Sequence, residues 1–146
     1  MTKYAAKGTL FQTEIAAVPG TFQTVAQVRN IGGPSMAGDM IDVSCMESPG
    51  FYRQFVQGYN DSGEVTLELL FDPVDATQDA VGVDGLLAIF NSQQEHNFQI
   101  VFSDAGGTVW RFDGLISAYE PAAPFDEALT ASITVKVTGA PTFAAV

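Results

Sequence analysis

The segment Gly63-Glu64-Val65-Thr66-Leu67-Glu68-Leu69-Leu70-Phe71-Asp72-Pro73 decides the fold class. Val65, Leu67, Leu69 and Phe71 alternate with Glu64, Thr66 and Glu68. Side chains in a strand alternate with period two, so this segment has one dry face and one acidic, wetted face. Pro73 has no amide proton to offer a ladder and ends the strand.

The same alternation recurs on both sides of it. Thr9 to Val18 reads as a strand closed by a Pro19-Gly20 turn. Thr21 to Asn30 reads as a second, with Phe22, Thr24, Ala26 and Val28 on one side and Gln23, Val25, Gln27 and Arg29 on the other. Beyond the centre, Asn97 to Ser103 turns Phe98, Ile100 and Phe102 inward. Asp104-Ala105-Gly106-Gly107 is a hairpin turn. Thr108 to Glu120 follows, with Trp110, Phe112, Ile116 and Ala118 on one side. Leu129, Ala131, Ile133, Val135 and Val137 then alternate with polar residues up to Gly139 and Pro141.

Between the strands lies one helical stripe, Val83, Leu86, Leu87 and Phe90, at i, i+3, i+4, i+7. Thr77 or Asp79 is placed to cap it, and Gly82 and Gly85 defer its regular part to about Asp84. Strands around a single helix predict a mainly β domain: a β-sandwich or barrel with one flanking α-helix.

Residues 32–62 interrupt this order with Gly32-Gly33-Pro34, Gly38, Pro49-Gly50, Gly58 and Asn60-Asp61. A loop of about thirty residues far exceeds the usual length of about 4–6. It is not polar: Met36, Met40, Ile41, Val43, Met46, Phe51, Tyr52, Phe55, Val56 and Tyr59 lie in it. Two readings stand level, a surface awaiting a partner and a flap over the domain's own core.

The chain of 146 residues is expected to form one domain, 1–146. Its formal charge is −11 with only six basic residues, which argues against binding nucleic acid as a ligand. Cys45 is the only cysteine, so no internal disulfide forms, as in a reducing cytoplasm. Met1 to Leu10 lacks an apolar signal core and no run reaches membrane-spanning length, so an intracellular origin without a membrane partner is expected.

No catalytic constellation emerges. His96 is the only histidine, it shares no motif with Cys45, and it reads as a surface or capping residue. Asp72, Asp75, Asp79 and Asp84 are spaced three, four and five apart, unlike a calcium loop, and read as a solvated helix start. Phosphate-loop and dinucleotide fingerprints are absent. No cofactor, metal or enzymatic activity is expected.

Several stretches, in order, carry a likeness: Ala37-Gly38-Asp39-Met40-Ile41-Asp42-Val43-Ser44, Gly63 to Leu67 running into Phe71-Asp72-Pro73, Gly85 to Phe90, Phe112-Asp113-Gly114-Leu115-Ile116-Ser117, and Ala131 to Pro141. Together they resemble the major tail tube proteins of long, flexible-tailed bacteriophages, a family related in fold to type VI secretion tube proteins. The resemblance implies a structural, non-enzymatic virion protein. Its subunits would form hexameric rings stacked into a tail tube, with an inner β-barrel completed by oligomerisation, through which viral DNA is delivered. It also implies self-association, neighbouring tape measure, tail tip and terminator proteins, passage of double-stranded DNA without specific binding, and assembly in the host bacterial cytoplasm.

On that footing Glu64, Glu68, Gln99, Arg111 and Asp113 are expected to face the lumen, on four strands drawn from Thr21–Asn30, Glu64–Phe71, Asn97–Ser103 and Thr108–Tyr119. Met40, Ile41, Asp42, Val43 and Phe51 are expected to make contacts between rings or subunits. Two alternatives belong to other classes: a carbohydrate- or protein-binding β-sandwich module, with a platform of exposed aromatics, and a small hydrolase with converging carboxylates.

Overall fold

Burial along the Glu64–Leu70 strand follows its alternation: Val65, Leu67 and Leu69 are buried, while Glu64, Thr66 and Glu68 are exposed. The computed structural model describes residues 3–80 and 84–144. In chain order its strands are β1 (Leu10–Glu14), β2 (Phe22–Thr24), β3 (Val28–Gly32), β4 (Ala37–Asp42), β5 (Phe55–Asp61), β6 (Glu64–Leu70), β7 (His96–Val101), β8 (Val109–Ala122) and β9 (Thr130–Ala144). The helix α1 (Leu86–Ser92) lies between β6 and β7. No helix of the described residues is long and apolar enough to cross a membrane.

Seven strands form one antiparallel sheet in the order β2-β1-β7-β8-β9-β6-β3, and β4 and β5 pair separately. The fold is mainly β with one helix, as the alternation implied. Long strands β8 and β9 form its spine, and their ladder shifts register between Arg111 and Asp113 and again between Ile116 and Ala118. Such bulges bend a strand and increase its twist. The second one reverses the facing of the residues after it. Ala118, expected inside, is exposed, and Tyr119 packs against the core instead.

The sheet curls around a single core. Phe11, Phe98 and Phe112 meet at its centre, with ring centroids 5.7 to 6.5 Å apart. Val65, Leu69, Ile133 and Val135 join them from β6 and β9. Helix α1 contributes Leu86, a member of the expected stripe, and Ile89, which was not: Leu87 is half-buried, Phe90 is exposed, and Val83 lies outside the described residues. The helix start is capped by backbone, not by the side chains of Thr77 or Asp79. Amides of Leu86, Leu87 and Ala88 donate to the carbonyls of Thr77, Gln78 and Asp79. Gly85 permits this approach, because a Cβ there would sit 2.2 Å from the Asp79 carbonyl oxygen.

The expected strand Thr21–Asn30 is two strands at opposite edges of the sheet. β2 pairs with β1, and β3 pairs with β6. Between them the chain crosses the seam, and Gln27 takes a φ of 61°, a conformation rare outside glycine, asparagine and aspartate. The crossing drives Val25 into the core at 2% exposure, although alternation assigned it outward. The Val25 amide donates to Phe11 and the Leu70 amide to Gln27, so this short crossing ties the two edges together.

Gln78 locks that crossing. Its side chain is fully buried, its Oε1 accepts from the Asp72 amide at 2.9 Å, and its Nε2 donates to the carbonyls of Ala26 and Leu70 at 3.0 and 3.2 Å. Beside it the Thr77 hydroxyl accepts from the Ala26 amide at 3.0 Å. Each buried backbone group left unpaired costs about 1–3 kcal/mol. Gln78→Ala is therefore expected to lower unfolding free energy by at least about 3 kcal/mol, read from denaturant titration. A loss below about 1 kcal/mol would mean that water replaces the amide, and that the lock does not matter.

Candidate functional site

Residues 32–62 are neither a disordered loop nor a flap over the core. β3 runs into β4 and β5 runs into β6, making one long ribbon whose outer half, β4 with β5, leaves the sheet as an arm. A 3₁₀ turn at Pro49–Phe51 lies in its tip, residues 43–54. Every residue of β4 is exposed, and all of β5 except the half-buried Gly58.

Both faces of the arm are apolar. Ile41 pairs with Val56, and next to them Met40 pairs with Gln57 and Asp42 with Phe55. Directly opposed residues share a face, so Ile41 and Val56 lie on one side and Met40 and Phe55 on the other. Phe51 and Met46 in the tip are fully exposed, and Tyr59 is 93% exposed. A two-stranded ribbon with nothing packed on it is marginal in water. The exposed aromatics Phe51, Tyr52, Phe55 and Tyr59 sit on this arm, while Tyr4, Phe125 and, on β9, Phe143 are exposed elsewhere.

The arm leaves the sheet at a fixed angle. Gly33 and Gly63 take φ values of +94° and +72°, and a Cβ at Gly63 would sit 2.0 Å from the Ser35 carbonyl oxygen. Only glycine fits these two positions. Asp61 accepts from the Gly63 amide at 2.8 Å and from the Lys136 ammonium at 3.0 Å. The Gly63 amide, and then Lys136, hold the Asp61 carboxyl below its ordinary range, so this carboxylate stays ionised through neutral pH. The Ser62 hydroxyl donates to the Gly139 carbonyl at 2.6 Å. The Asn60-Asp61-Ser62-Gly63 run carried this hinge in the sequence, where it passed for an ordinary turn.

The five polar residues expected to act together stand on the outer face of the sheet. Glu64 and Glu68 are exposed on β6, and Arg111 and Asp113 are exposed on β8. Gln99 on β7 is only 7% exposed, because Gln12 and Arg111 close over it. They sit on three of the four expected strands, and β9 runs between β6 and β8. From β6 to β7 is three ladder steps, about 14 Å. Arg111 does not pair with an acid across strands. Its guanidinium donates to Gln99 at 3.1 Å and lies 4.8 Å from the Phe22 ring centroid. Glu68 pairs in register with Ser132, which faces Glu120, so acids cluster where β6, β9 and β8 run together.

Other sequence candidates fall into structural roles. His96 is half-buried, with Nε2 2.8 Å from the Glu14 carbonyl oxygen, tying the start of β7 to the end of β1. Three of the four aspartates take separate partners: Asp72 accepts from the Val74 amide, Asp75 from Thr77 and Asp84 from the Ala16 amide. Asp79 Oδ1 is buried and has no hydrogen bond. Cys45 is exposed in the arm tip, and its amide donates to the Ser48 hydroxyl at 3.0 Å.

Residues 3–144 match the family described as the lambda phage tail tube protein. The chain belongs to that family. It is a structural tail tube protein of the virion. No curated protein sequence matches it. Among solved structures, the tail of an empty gene transfer agent particle with C6 symmetry is similar at a TM-score of 0.76 and 19% identity, covering 98% of this chain and all of that one. The anti-feeding prophage baseplate gives 0.73 at 12% identity over 99% and 97% of the two chains. The SPP1 tail tube gives 0.69 at 14% identity over 94% and 77%. At these identities the likeness is one of fold.

Replacing Ile41, Val43 and Phe51 together with Ser removes apolar surface that touches solvent in the subunit. Its stability should change by no more than about 0.5 kcal/mol per site, while assembly, followed by light scattering and negative-stain microscopy, should be lost. A variant that unfolds instead would show that the arm supports its own domain.

Proposed function

We propose that this tail tube protein closes into six-membered rings, as the C6 symmetry of a similar tail suggests, and that rings stack into the conduit for viral DNA. The observation that carries the reading is the arm, with apolar residues exposed on both faces. Covering that surface would release on the order of 10 kcal/mol gross per subunit, before ordering and association costs. Met40, Ile41, Asp42, Val43 and Phe51 would make contacts between subunits or rings.

Glu64 and Glu68, with Gln99, Arg111 and Asp113, would face the lumen. Sixfold repetition makes each side chain a ring of six, and two rings of carboxylate repel the phosphate backbone and keep transiting DNA from sticking. DNA is cargo in this reading and not a specific ligand. Tape measure, tail tip and terminator proteins would be the tube's neighbours, with assembly in the host cytoplasm before incorporation into the virion. The protein's role is mechanical, without catalysis.

Glu64→Lys with Glu68→Lys tests the lumen. Both side chains leave the core face untouched, so tubes should still form, seen by microscopy. DNA ejection, measured by plating or dye release, should slow or stop, because two rings of ammonium would hold phosphate. Normal ejection from intact double-mutant tails would mean that these residues lie outside the channel or that its charge is without effect.

A further inference from the structure

Among the described residues, the backbone hydrogen bonds that tie the curled sheet across its seam lie where the chain crosses at Val25–Gln27. Away from that crossing the edge strand β3 and the segment before β1 diverge, and a cleft of about 760 Å³ opens between them. Val28 and Ile31 of β3, Phe102 and Tyr4 give it an apolar lining. Lys7 and Arg29 also line it, and neither forms an ion pair or a side-chain hydrogen bond among the described residues. Asp104, the acid there, is held by the Thr108 amide and hydroxyl at 2.8 and 2.6 Å. In a chain of charge −11 with six basic residues, two unengaged cations around one apolar cleft mark a place for an acidic, apolar guest.

The arm has that chemistry. Its tip exposes Met46, Phe51 and Tyr52, and the arm carries Asp39, Asp42, Glu47 and Asp61 against a single cation, Arg53. We propose that the cleft of one subunit receives the arm tip of a second copy, with Lys7 and Arg29 meeting Asp42 and Glu47. The inference rests on the tube reading and adds the receptor for the arm. A subunit cannot serve itself. Its arm departs from Gly33 at the cleft's own edge, and the six residues of β4 carry the tip about 20 Å away. Tip and cleft are different surfaces, so the contact is heterologous and repeats from copy to copy.

Cys45, the only cysteine, is exposed in the tip and serves as the probe. Asn30→Cys and Tyr4→Cys each place a second thiol in the cleft, and Ala123→Cys places one in the loop at the far end of the β8–β9 ladder. Assembled protein treated with a short bis-maleimide should give a ladder of covalent multimers from either cleft variant and none from Ala123→Cys. Charge exchange gives an independent readout. Lys7→Glu with Arg29→Glu should lose tubes, as should Asp42→Lys with Glu47→Lys, and the four changes together should recover them. Tubes without a cleft ladder, or with an equal ladder from Ala123→Cys, would overturn the receptor while leaving the tube reading intact. Wild-type protein that never assembles would overturn both.

Discussion

The seam of the sheet is the constraint on which the rest depends. Seven strands curled around one core bring their two edges toward each other, and unpaired backbone there must be satisfied or left open to water. At one end it is satisfied. The crossing at Val25–Gln27 hands the chain from β1 to β6, and the buried Gln78 amide fastens that crossing to β6 and to the turn after it. Carbonyls of that turn then receive the first amides of α1, which sets Leu86 and Ile89 into the core. At the other end no hydrogen bond among the described residues bridges the edges, and the cleft and the root of the arm both lie there. One topological event, the crossing of the seam, fixes both the closed and the open half.

The arm inverts the usual relation between composition and burial. A monomeric domain seldom leaves a large apolar patch in water, and this one leaves a whole ribbon. Local consistency breaks at functional places, because a surface built for a partner cannot also be optimal in isolation. The hinge makes the inversion useful. Gly33 and Gly63 accept conformations closed to other residues, and the Asp61–Lys136 pair ties the arm's base to β9. The arm therefore pays less entropy on docking than a free loop of equal length would.

How much of this could be read from sequence depended on how each element is solvated. β6 and β9 were legible because one face is dry and the other wet, so alternation survives in the residues. The β7–β8 hairpin was legible from Asp104 to Gly107, where Gly107 takes a positive φ and the Thr108 amide donates to Asp104. The break at Gln27 was not, because a glutamine with positive φ leaves no mark in the chain. The arm was taken for a loop because apolar residues on both faces erase the period that identifies a strand. The bulge before Ala118 exchanged Ala118 for Tyr119 without any compositional trace. The helix, only seven residues long, buries Leu86 as its stripe implied, but Ile89 where Phe90 was expected. Gln78 was invisible, since nothing separates a buried, fully bonded glutamine from a surface one until the fold is known. The exposure of Glu64 and Glu68 followed from the same alternation, whereas the position of β9 between β6 and β8 left no mark in the residues.

Charge then bears on how such subunits could meet at all. At −11 each, two copies repel at distances beyond a Debye length of about 8 Å in physiological salt only weakly, and strongly at low salt. Contact forces must win inside that range. Apolar cover on the arm is short-ranged and hardly affected by salt, while a cation–carboxylate contact at the cleft rim selects orientation more than it adds affinity. Lys136 is committed to Asp61 and Arg111 to Gln99 and Phe22, while Lys7 and Arg29 are the basic groups at the cleft free to direct a guest. Their placement at the root of the arm, and that of Glu64 and Glu68 on the outer face of β6, divides the labour. Attraction sits where subunits would join, and repulsion stays on a face that no guest needs to touch.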